Sequence, residues 1–289
     1  MVSLGIVSAW QTEVQAEDKL PVVATFSILA DFARNVGGGR IVVTELVGPN
    51  GDTHVYQPSP VDAQELAGAR LILVNGLGLE GWIDRLIKAS GAKAPVAVAT
   101  KGIKPQQMNE EGRIGIDPHA WQSIANAKIY VANIREALIA ADPEGALDYR
   151  ANAEKYLGEL DALDKEVAAE IAAIPPARRQ IITTHDAFGY FGTAYGFRFV
   201  GPEGISTETE ASARDVAKII RQIKAQKIPA VFLENVTDSR LVQTIAVESG
   251  AKIGGTLYSD ALSVPGGPAG TYIEMMHNNI RELSAALKD

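Results

Sequence analysis

The sequence contains no cysteine. This absence excludes disulfide bonds, thiolate metal sites, cysteine nucleophiles and attachment of a lipid through an N-terminal cysteine. Any site for a transition metal in this chain must therefore use imidazole and carboxylate groups. The compartment stays open, because a protein without disulfides can work on either side of a membrane.

Clustered positive charge and long apolar runs are also missing. The 289 residues include 27 Lys and Arg against 35 Asp and Glu, and the net charge of −8 argues against a nucleic-acid partner. No stretch approaches the roughly 18 uninterrupted apolar residues that indicate a transmembrane helix. Hydrophobic residues at 46% and charged residues at 21% are typical of a globular protein with one large domain or two ordinary ones.

Residues 1–18 differ from the rest of the chain. Val2 to Trp10 form a short apolar run, and Val14-Gln15-Ala16 resembles a small-residue cleavage site. No Lys or Arg precedes Lys19, so the basic start of a signal peptide is missing. We interpret this segment as the remnant of a signal peptide, with a disordered N-terminus as the alternative.

Short β-rich segments alternate with helical patterns from Pro21 onward, which is typical of a parallel α/β fold. The strands are apolar along their length, as burial on both faces of a parallel sheet requires. A first set comprises predicted strands Val22–Thr25, Ile41–Val47, Leu71–Val74 and Val96–Ala99 and predicted helices Ile28–Val36, Val61–Ala67 and Gly81–Ala89. A second set comprises predicted strands Gln180–Thr184, Arg198–Val200, Ala230–Glu234 and Lys252–Leu257 and predicted helices Asp186–Tyr195, Ala211–Gln226, Ser239–Ser249 and Thr271–Leu287.

One long helix is predicted between the two sets, over residues 143–174. Asp142 is the expected N-cap, Pro143 the first helical residue, and Pro175-Pro176 ends the pattern. About 30 residues make a helix of roughly 45 Å, which is longer than one small domain is wide. The alternative is a helical hairpin with a break at Gly158.

We therefore predict an α/β fold with two lobes, each with a parallel sheet flanked by helices. The lobes span residues 19–140 and 177–289, and the rigid helix 143–174 joins them. A ligand should lie in the cleft between the lobes, outside the carboxyl ends of the strands.

Three of the four histidines fall where predicted strands and helices meet. His54 lies in the Gly- and Pro-rich loop 51–60, His119 precedes a predicted helix, and His185 ends a predicted strand. Such junctions are the positions at which α/β folds bind ligands. His277 lies in the middle of a predicted helix, which indicates a surface or packing role.

Asp260 adds a carboxylate just after the last predicted strand. Three imidazoles and one carboxylate suit a borderline-soft divalent ion such as zinc, at about 2.0–2.2 Å. Calcium and magnesium prefer more oxygen ligands. The four residues are far apart in sequence, and singly each is more often an ordinary loop residue or helix cap, so both interpretations stay open.

Motifs of enzymes are missing from the sequence. It contains no His-Glu-x-x-His, no Gly-x-Ser-x-Gly and no P-loop. Four protein ligands would also close a zinc site to the water that catalysis needs. Glu234, at the end of a predicted strand, is open to three interpretations: a general base, an acceptor that orients an imidazole, or an ordinary strand residue. We predict no catalytic residues.

Four motifs around these residues occur in a fixed order. They are Gly51-Asp52-Thr53-His54 through Pro58-Ser59-Pro60, Asp117-Pro118-His119-Ala120-Trp121, Thr184-His185-Asp186-Ala187-Phe188-Gly189-Tyr190-Phe191 and Tyr258-Ser259-Asp260. Together they closely resemble the periplasmic solute-binding proteins of zinc and manganese ABC importers, the cluster A-I metal-binding family. The resemblance covers residues 20–288. It implies two α/β lobes on one long helix, with the metal held in the cleft by His54, His119, His185 and Asp260.

The identity of the metal depends on two features that point in opposite directions. Manganese members of that family tend to have Glu at the third ligand position, so His185 favours zinc. Many zinc members have a His- and acid-rich loop before the second ligand, whereas Lys101 to Ile116 contains only Glu110 and Glu111 and no His. Nitrogen-rich sites bind zinc more tightly than manganese. We predict Zn²⁺, with Mn²⁺ as the alternative.

The resemblance also implies partners and a location. It indicates an exported, soluble periplasmic monomer that delivers metal to a membrane permease with its ATPase, and it allows for a metallochaperone that loads the site. The remaining alternatives are a metallohydrolase and a surface adhesin.

Overall fold

The computed structural model describes residues 19–110, 113–204, 206–208 and 211–288. The predicted signal remnant at 1–18 and the acidic residue Glu111 lie outside these ranges. Within them the chain forms two four-stranded sheets and a two-stranded hairpin. The predicted α/β fold with two parallel sheets and a long connecting helix is confirmed.

The first sheet is parallel, with the order β2-β1-β3-β4. Strand β1 lies between β2 and β3 in this sheet. Its apolar segment from Leu20 to Phe26 is almost entirely buried. The strands are β1 (Leu20–Phe26), β2 (Ile41–Val47), β3 (Leu71–Val74) and β4 (Val96–Val98). The accompanying helices are α1 (Ser27–Gly37), α2 (Pro60–Gly68) and α3 (Ile83–Ser90).

An antiparallel hairpin follows in the stretch after residue 101, for which we predicted no strand or helix. Strands β5 (Gln106–Glu110) and β6 (Arg113–Asp117) pair along their length. Strand β5 is mainly polar in sequence and β6 alternates charged residues, isoleucine and glycine, so neither contains the continuous apolar run that identified most of the other strands. Tyr190 anchors the hairpin, because its hydroxyl accepts from Gln106 N (3.0 Å) and donates to the Asp117 carbonyl oxygen (3.2 Å). A 3-10 turn at Ala120–Gln122 and helix α4 (Ile124–Ala141) come next.

The long helix α5 (Ala146–Ala172) runs without a break at Gly158. A 3-10 turn at Pro143–Gly145 precedes it, so the α-helix begins three residues later than predicted. Asp142 occupies the N-cap position of that turn, as predicted, but its side chain makes no capping hydrogen bond: its carboxylate accepts from Arg40 Nε (3.0 Å) and the Tyr149 hydroxyl (2.6 Å).

The second sheet is also parallel, with the order β10-β9-β7-β8. Its strands are β7 (Gln180–Ile182), β8 (Arg198–Val200), β9 (Ala230–Glu234) and β10 (Lys252–Leu257). Its helices are α6 (Gly189–Tyr195), α7 (Ala213–Gln226), α8 (Ser239–Ser249) and α9 (Tyr272–Leu287).

We predicted that the helix after β7 begins at Asp186, but helix α6 begins at Gly189. The backbone N–H groups of Thr184 and His185 donate to the Glu234 carboxylate, and that of Asp186 donates to the Gly204 carbonyl. These contacts hold the segment between β7 and α6, which stays irregular until Gly189.

Most of the buried apolar side chains form one core that extends across both sheets. Helix α5 packs against α1 and α4 on one side and α9 on the other. A smaller core lies beneath α7 and α8, and the neighbours Ile181 and Ile182 of β7 point into the large and the small core respectively. Among the described residues, no helix combines the length and hydrophobicity needed to cross a membrane.

Candidate metal centre

The four predicted ligands meet at one point, although they come from separate parts of the fold. His54 follows β2, His119 follows β6, His185 follows β7 and Asp260 follows β10. One nitrogen or oxygen from each lies within 4.8 Å of the others, and all four residues are buried. The strand ends of two sheets therefore converge on a single polar cluster.

The distances within this cluster match the edges of a small coordination polyhedron. His54 Nε2 lies 3.1 Å from His119 Nε2, and Asp260 Oδ2 lies 3.2 Å from Nε2 of both His54 and His185. Asp260 Oδ1 lies 3.6 Å from His119 Nε2. A tetrahedral site with metal–ligand bonds of about 2.0–2.2 Å has edges of roughly 3.3–3.6 Å. These four distances are therefore close to the edges that one divalent transition-metal ion requires, and all the donor atoms lie within 4.8 Å of one another.

His119 is held by Asp117 in two ways. Asp117 Oδ1 accepts from the backbone N of His119 at 2.9 Å and lies 2.8 Å from its Nδ1. This contact favours the tautomer with hydrogen on Nδ1, which leaves the Nε2 lone pair available for a metal. Both residues are fully buried, so the imidazole is fixed in orientation.

His185 is held by Glu234 at the end of β9. Glu234 Oε1 accepts from the backbone N–H groups of Thr184 (2.7 Å) and His185 (2.9 Å). Its Oε2 lies 2.7 Å from His185 Nδ1, a close contact that is poorly aligned for a hydrogen bond. Of the three interpretations of Glu234, this geometry favours an acceptor that orients an imidazole.

His54 is the most exposed of the four residues, at 9%, and its loop is held from two sides. Asp52 Oδ1 accepts from the backbone N of His54 (2.9 Å), and Asp52 Oδ2 accepts from the Thr207 hydroxyl (2.6 Å). Trp82 Nε1 donates to the Thr53 carbonyl oxygen at 2.9 Å. The loop is thus rigid at the mouth of the site.

The sequence reasoning missed the roles of Asp52 and Asp117. Each stands two residues before a histidine of the cluster, and each accepts from the backbone N–H of that histidine. The repeated Asp-x-His pattern was the available signal, because Asp side chains bond the backbone two residues further on in Asx-turns.

Charge makes this cluster a site for a cation. Three carboxylates, Asp117, Glu234 and Asp260, surround the imidazoles without solvent contact. Burial lowers the pKa of His119, but Asp260 and Asp117 outweigh it and raise this pKa to about 9. Burial raises the pKa of Asp260, but His119 and His185 outweigh it and hold this pKa well below its usual range. In the absence of metal, protons partly balance the carboxylates, and a divalent ion would replace them.

His277 lies far from this cluster in the fold. It is on α9, about half-exposed, and its Nε2 is 3.0 Å from Glu166 Oε2 on α5. This placement agrees with the surface or packing role predicted from its position in the sequence.

Comparison with known proteins gives consistent matches along most of the chain. The family model described as zinc-uptake complex component A, periplasmic (ZnuA), matches residues 22–286. The manganese-binding lipoprotein MntA of Halalkalibacterium halodurans is 36% identical over 261 residues, which are 90% of this chain and 86% of that protein. The iron-binding protein YfeA of Yersinia pestis is 38% identical over 263 residues, 91% and 84% of the two chains.

A solved structure is similar over nearly the whole fold. The periplasmic zinc-binding protein TroA from Treponema pallidum has a TM-score of 0.89 and 33% sequence identity, and the match covers 94% of this chain and 100% of that one. The names of the three similar proteins contain three different metals.

Proposed function

This chain belongs to the family of periplasmic zinc-uptake component A proteins, and from this premise we propose that its cargo is zinc. Members of the family are metal-binding substrate-binding proteins of ABC importers, which work with a membrane permease and an ATPase. The chain is therefore a transport component and not an enzyme. The metal is its substrate, bound for delivery.

The proposed ligands of the metal are His54 Nε2, His119 Nε2, His185 Nε2 and one or both carboxylate oxygens of Asp260. The observation that carries this assignment is the convergence of these buried atoms within 4.8 Å of one another. Asp117 and Glu234 contact two of the imidazoles on the side away from the cluster and would keep them oriented.

Zinc is proposed over manganese because the donor set is rich in nitrogen. The edges of 3.1–3.6 Å also suit a compact four-ligand site. Manganese is the second candidate, and one observation favours it. Both oxygens of Asp260 face the imidazoles, so the carboxylate can supply a fifth donor to a metal that prefers more oxygen.

Capture and release are proposed to involve small movements. Two lobes, residues 19–140 and 177–289, would lie on the helical connection 143–174. Since α5 packs against helices from both lobes, it resists a wide hinge motion. Binding would then tighten the loops around the metal, and release would require the docked permease to separate the ligands. The family description supports a periplasmic location, and we propose that the protein works there as a monomer, loaded directly or by a metallochaperone.

A competition titration of the metal-free protein with Zn²⁺ and Mn²⁺ tests this proposal. We expect one equivalent of either metal to bind, with Zn²⁺ the tighter. Asp260→Ala should weaken binding of both, and His277→Ala, which removes the one histidine outside the cluster, should change neither. Tighter binding of Mn²⁺ would make manganese the cargo, and unchanged binding by Asp260→Ala would contradict the ligand set.

A further inference from the structure

The turn that follows His119 contacts the segment that precedes Asp260. Two side-chain nitrogens of this turn donate to one acceptor, the carbonyl oxygen of Ser259: Trp121 Nε1 at 2.9 Å and Gln122 Nε2 at 2.7 Å. All of these residues are buried. The Ser259 carbonyl precedes the proposed ligand Asp260. It is thus held by two residues that closely follow another proposed ligand, His119.

We propose that Trp121 and Gln122 are positioning residues that fix the Asp260 carboxylate in the metal site and thereby strengthen the binding of the metal. They do not belong to the proposed ligand set. The inference rests on the proposed function, because it requires Asp260 to be a ligand.

The two hydrogen bonds restrict the peptide between Ser259 and Asp260. A carbonyl oxygen has two lone pairs, and here a separate side chain occupies each of them. Rotation of this peptide would break both bonds in a buried environment, where an unpaired carbonyl is costly. The same rotation would carry the Asp260 carboxylate away from the imidazoles.

The turn that provides the donors is itself firmly held. The Tyr272 hydroxyl donates to the Trp121 carbonyl oxygen at 2.7 Å. The Trp121 ring packs between Phe26 and His119, with ring centroids 4.9 and 5.3 Å apart. The donors therefore stand on a rigid support, and that support includes the imidazole of a second proposed ligand.

Helix α9 holds the same segment from the other side. Asn279 accepts from the backbone N of Tyr258 and donates to its carbonyl oxygen, both at 2.8 Å. The segment before Asp260 is therefore held by α9 as well as by the turn after His119. A movement that separates these two elements must break the hydrogen bonds of this segment to one of them.

Two substitutions remove the donors: Gln122→Met changes the shape little, and Trp121→Phe removes one of the two fused rings of the buried indole. Gln122→Met keeps the length of the side chain, and among the described residues Gln122 Oε1 has no hydrogen-bond partner, so only the bond to Ser259 is lost. Trp121→Phe keeps an aromatic ring beside His119 but removes the indole N–H.

The test compares the double variant Trp121→Phe/Gln122→Met in two backgrounds, wild type and Asp260→Ala. Zn²⁺ affinity is measured by chelator competition, and the absorption spectrum of bound Co²⁺ reports the coordination geometry. In the wild-type background we expect about tenfold weaker Zn²⁺ binding and a changed Co²⁺ spectrum. In the Asp260→Ala background the same substitutions should change both quantities much less, because the group they position is gone and only the contact of Trp121 with His119 remains.

Equal weakening in both backgrounds would overturn the inference, since the two residues would then act on the fold in general. Unchanged affinity in the wild-type background would overturn it as well. If Asp260→Ala alone kept wild-type affinity, the proposed ligand set would be wrong. This result concerns the ligand set and is distinct from one that contradicts only the positioning role. Should the double variant not fold, Gln122→Met alone allows the same comparison, with a smaller loss in the same direction.

Discussion

The carboxylate of Asp31 on α1 accepts a hydrogen bond from the backbone N of Tyr272, the first residue of α9, at 3.0 Å. The Tyr156 hydroxyl of α5 lies 3.5 Å from the same oxygen. Asp31 thus lies where α1, α5 and α9 meet, at the contact between the two halves of the fold. Its burial raises its pKa from 3.8 to about 6, although the hydrogen bond from Tyr272 opposes this change.

Asp31→Asn should stabilise the metal-free protein above pH 6. The pKa of Asp31 is higher in the folded protein than in the unfolded chain. Its contribution to the free energy of unfolding is therefore fully present below pH 3.8 and is lost as the pH rises through about 6. Asn carries no charge to desolvate, and we expect the gain to approach about 3 kcal/mol at pH 8 and to vanish near pH 4. Urea unfolding of both proteins across this range measures it. A difference that stays constant with pH would contradict the prediction.

Metal affinity should fall as the pH is lowered from about 9. The carboxylates of Asp260 and Asp117 raise the pKa of His119 to about 9 despite its burial, so a proton competes with the metal below that pH. A free histidine, with a pKa of about 6.5, would compete only in more acidic solution. Chelator competition between pH 6 and 9 checks the slope. An affinity that is flat down to pH 6.5 would exclude the raised pKa.

Neutralising the carboxylates behind the imidazoles should weaken the site. Asp117→Asn and Glu234→Gln keep the shape of each side chain but remove the charge 2.8 Å from His119 Nδ1 and 2.7 Å from His185 Nδ1. We expect each to lower Zn²⁺ affinity by about 10- to 100-fold, because such partners raise the basicity of a ligand. Isothermal titration measures the loss, and Glu166→Gln, beside the exposed His277, is the matched control that should leave affinity unchanged.

Trp82→Phe should loosen the loop that carries His54. The substitution keeps an aromatic ring against Tyr56, whose centroid is 5.1 Å away, but removes the donor to the buried Thr53 carbonyl. The expected cost is about 1–3 kcal/mol of folding stability, with faster dissociation of the metal. Thermal unfolding and a stopped-flow chelator chase measure the two effects. Loss of stability with an unchanged dissociation rate would show that this hydrogen bond does not affect the release of the metal.

The parallel strands were the most predictable part of the fold. The predicted bounds of Ile41–Val47, Leu71–Val74, Ala230–Glu234 and Lys252–Leu257 agree with the observed strands. Most of these strands are short apolar runs with polar, Gly or Pro residues at their ends, and these patterns are local. The hairpin β5–β6 lacks an apolar run, and its strands are stabilised by pairing with each other and by contact with Tyr190, so local sequence did not reveal it.

The start of α6 shows a second limit of local reasoning. The pattern after His185 resembles a helix start, yet the chain is irregular there, and the backbone N–H groups of Thr184 and His185 donate to Glu234 on a strand that is remote in sequence. Asp142 takes its predicted N-cap position, but its side chain binds Arg40 and makes no capping hydrogen bond. In both cases the side-chain contacts depend on a partner that local sequence does not reveal.

The amino-acid sequence alone determined the type of donor that a metal could find here. With no cysteine and four histidines, only imidazole and carboxylate groups were available, and the ordered motifs indicated which residues carry them. Whether those donors meet was decided by the tertiary structure. The ends of β2, β6, β7 and β10 are far apart along the chain, and only the packing of the core that extends across both sheets brings His54, His119, His185 and Asp260 within 4.8 Å. Local patterns encode the strands and helices, but the distance between side chains more than 60 residues apart depends on the packing of the whole core.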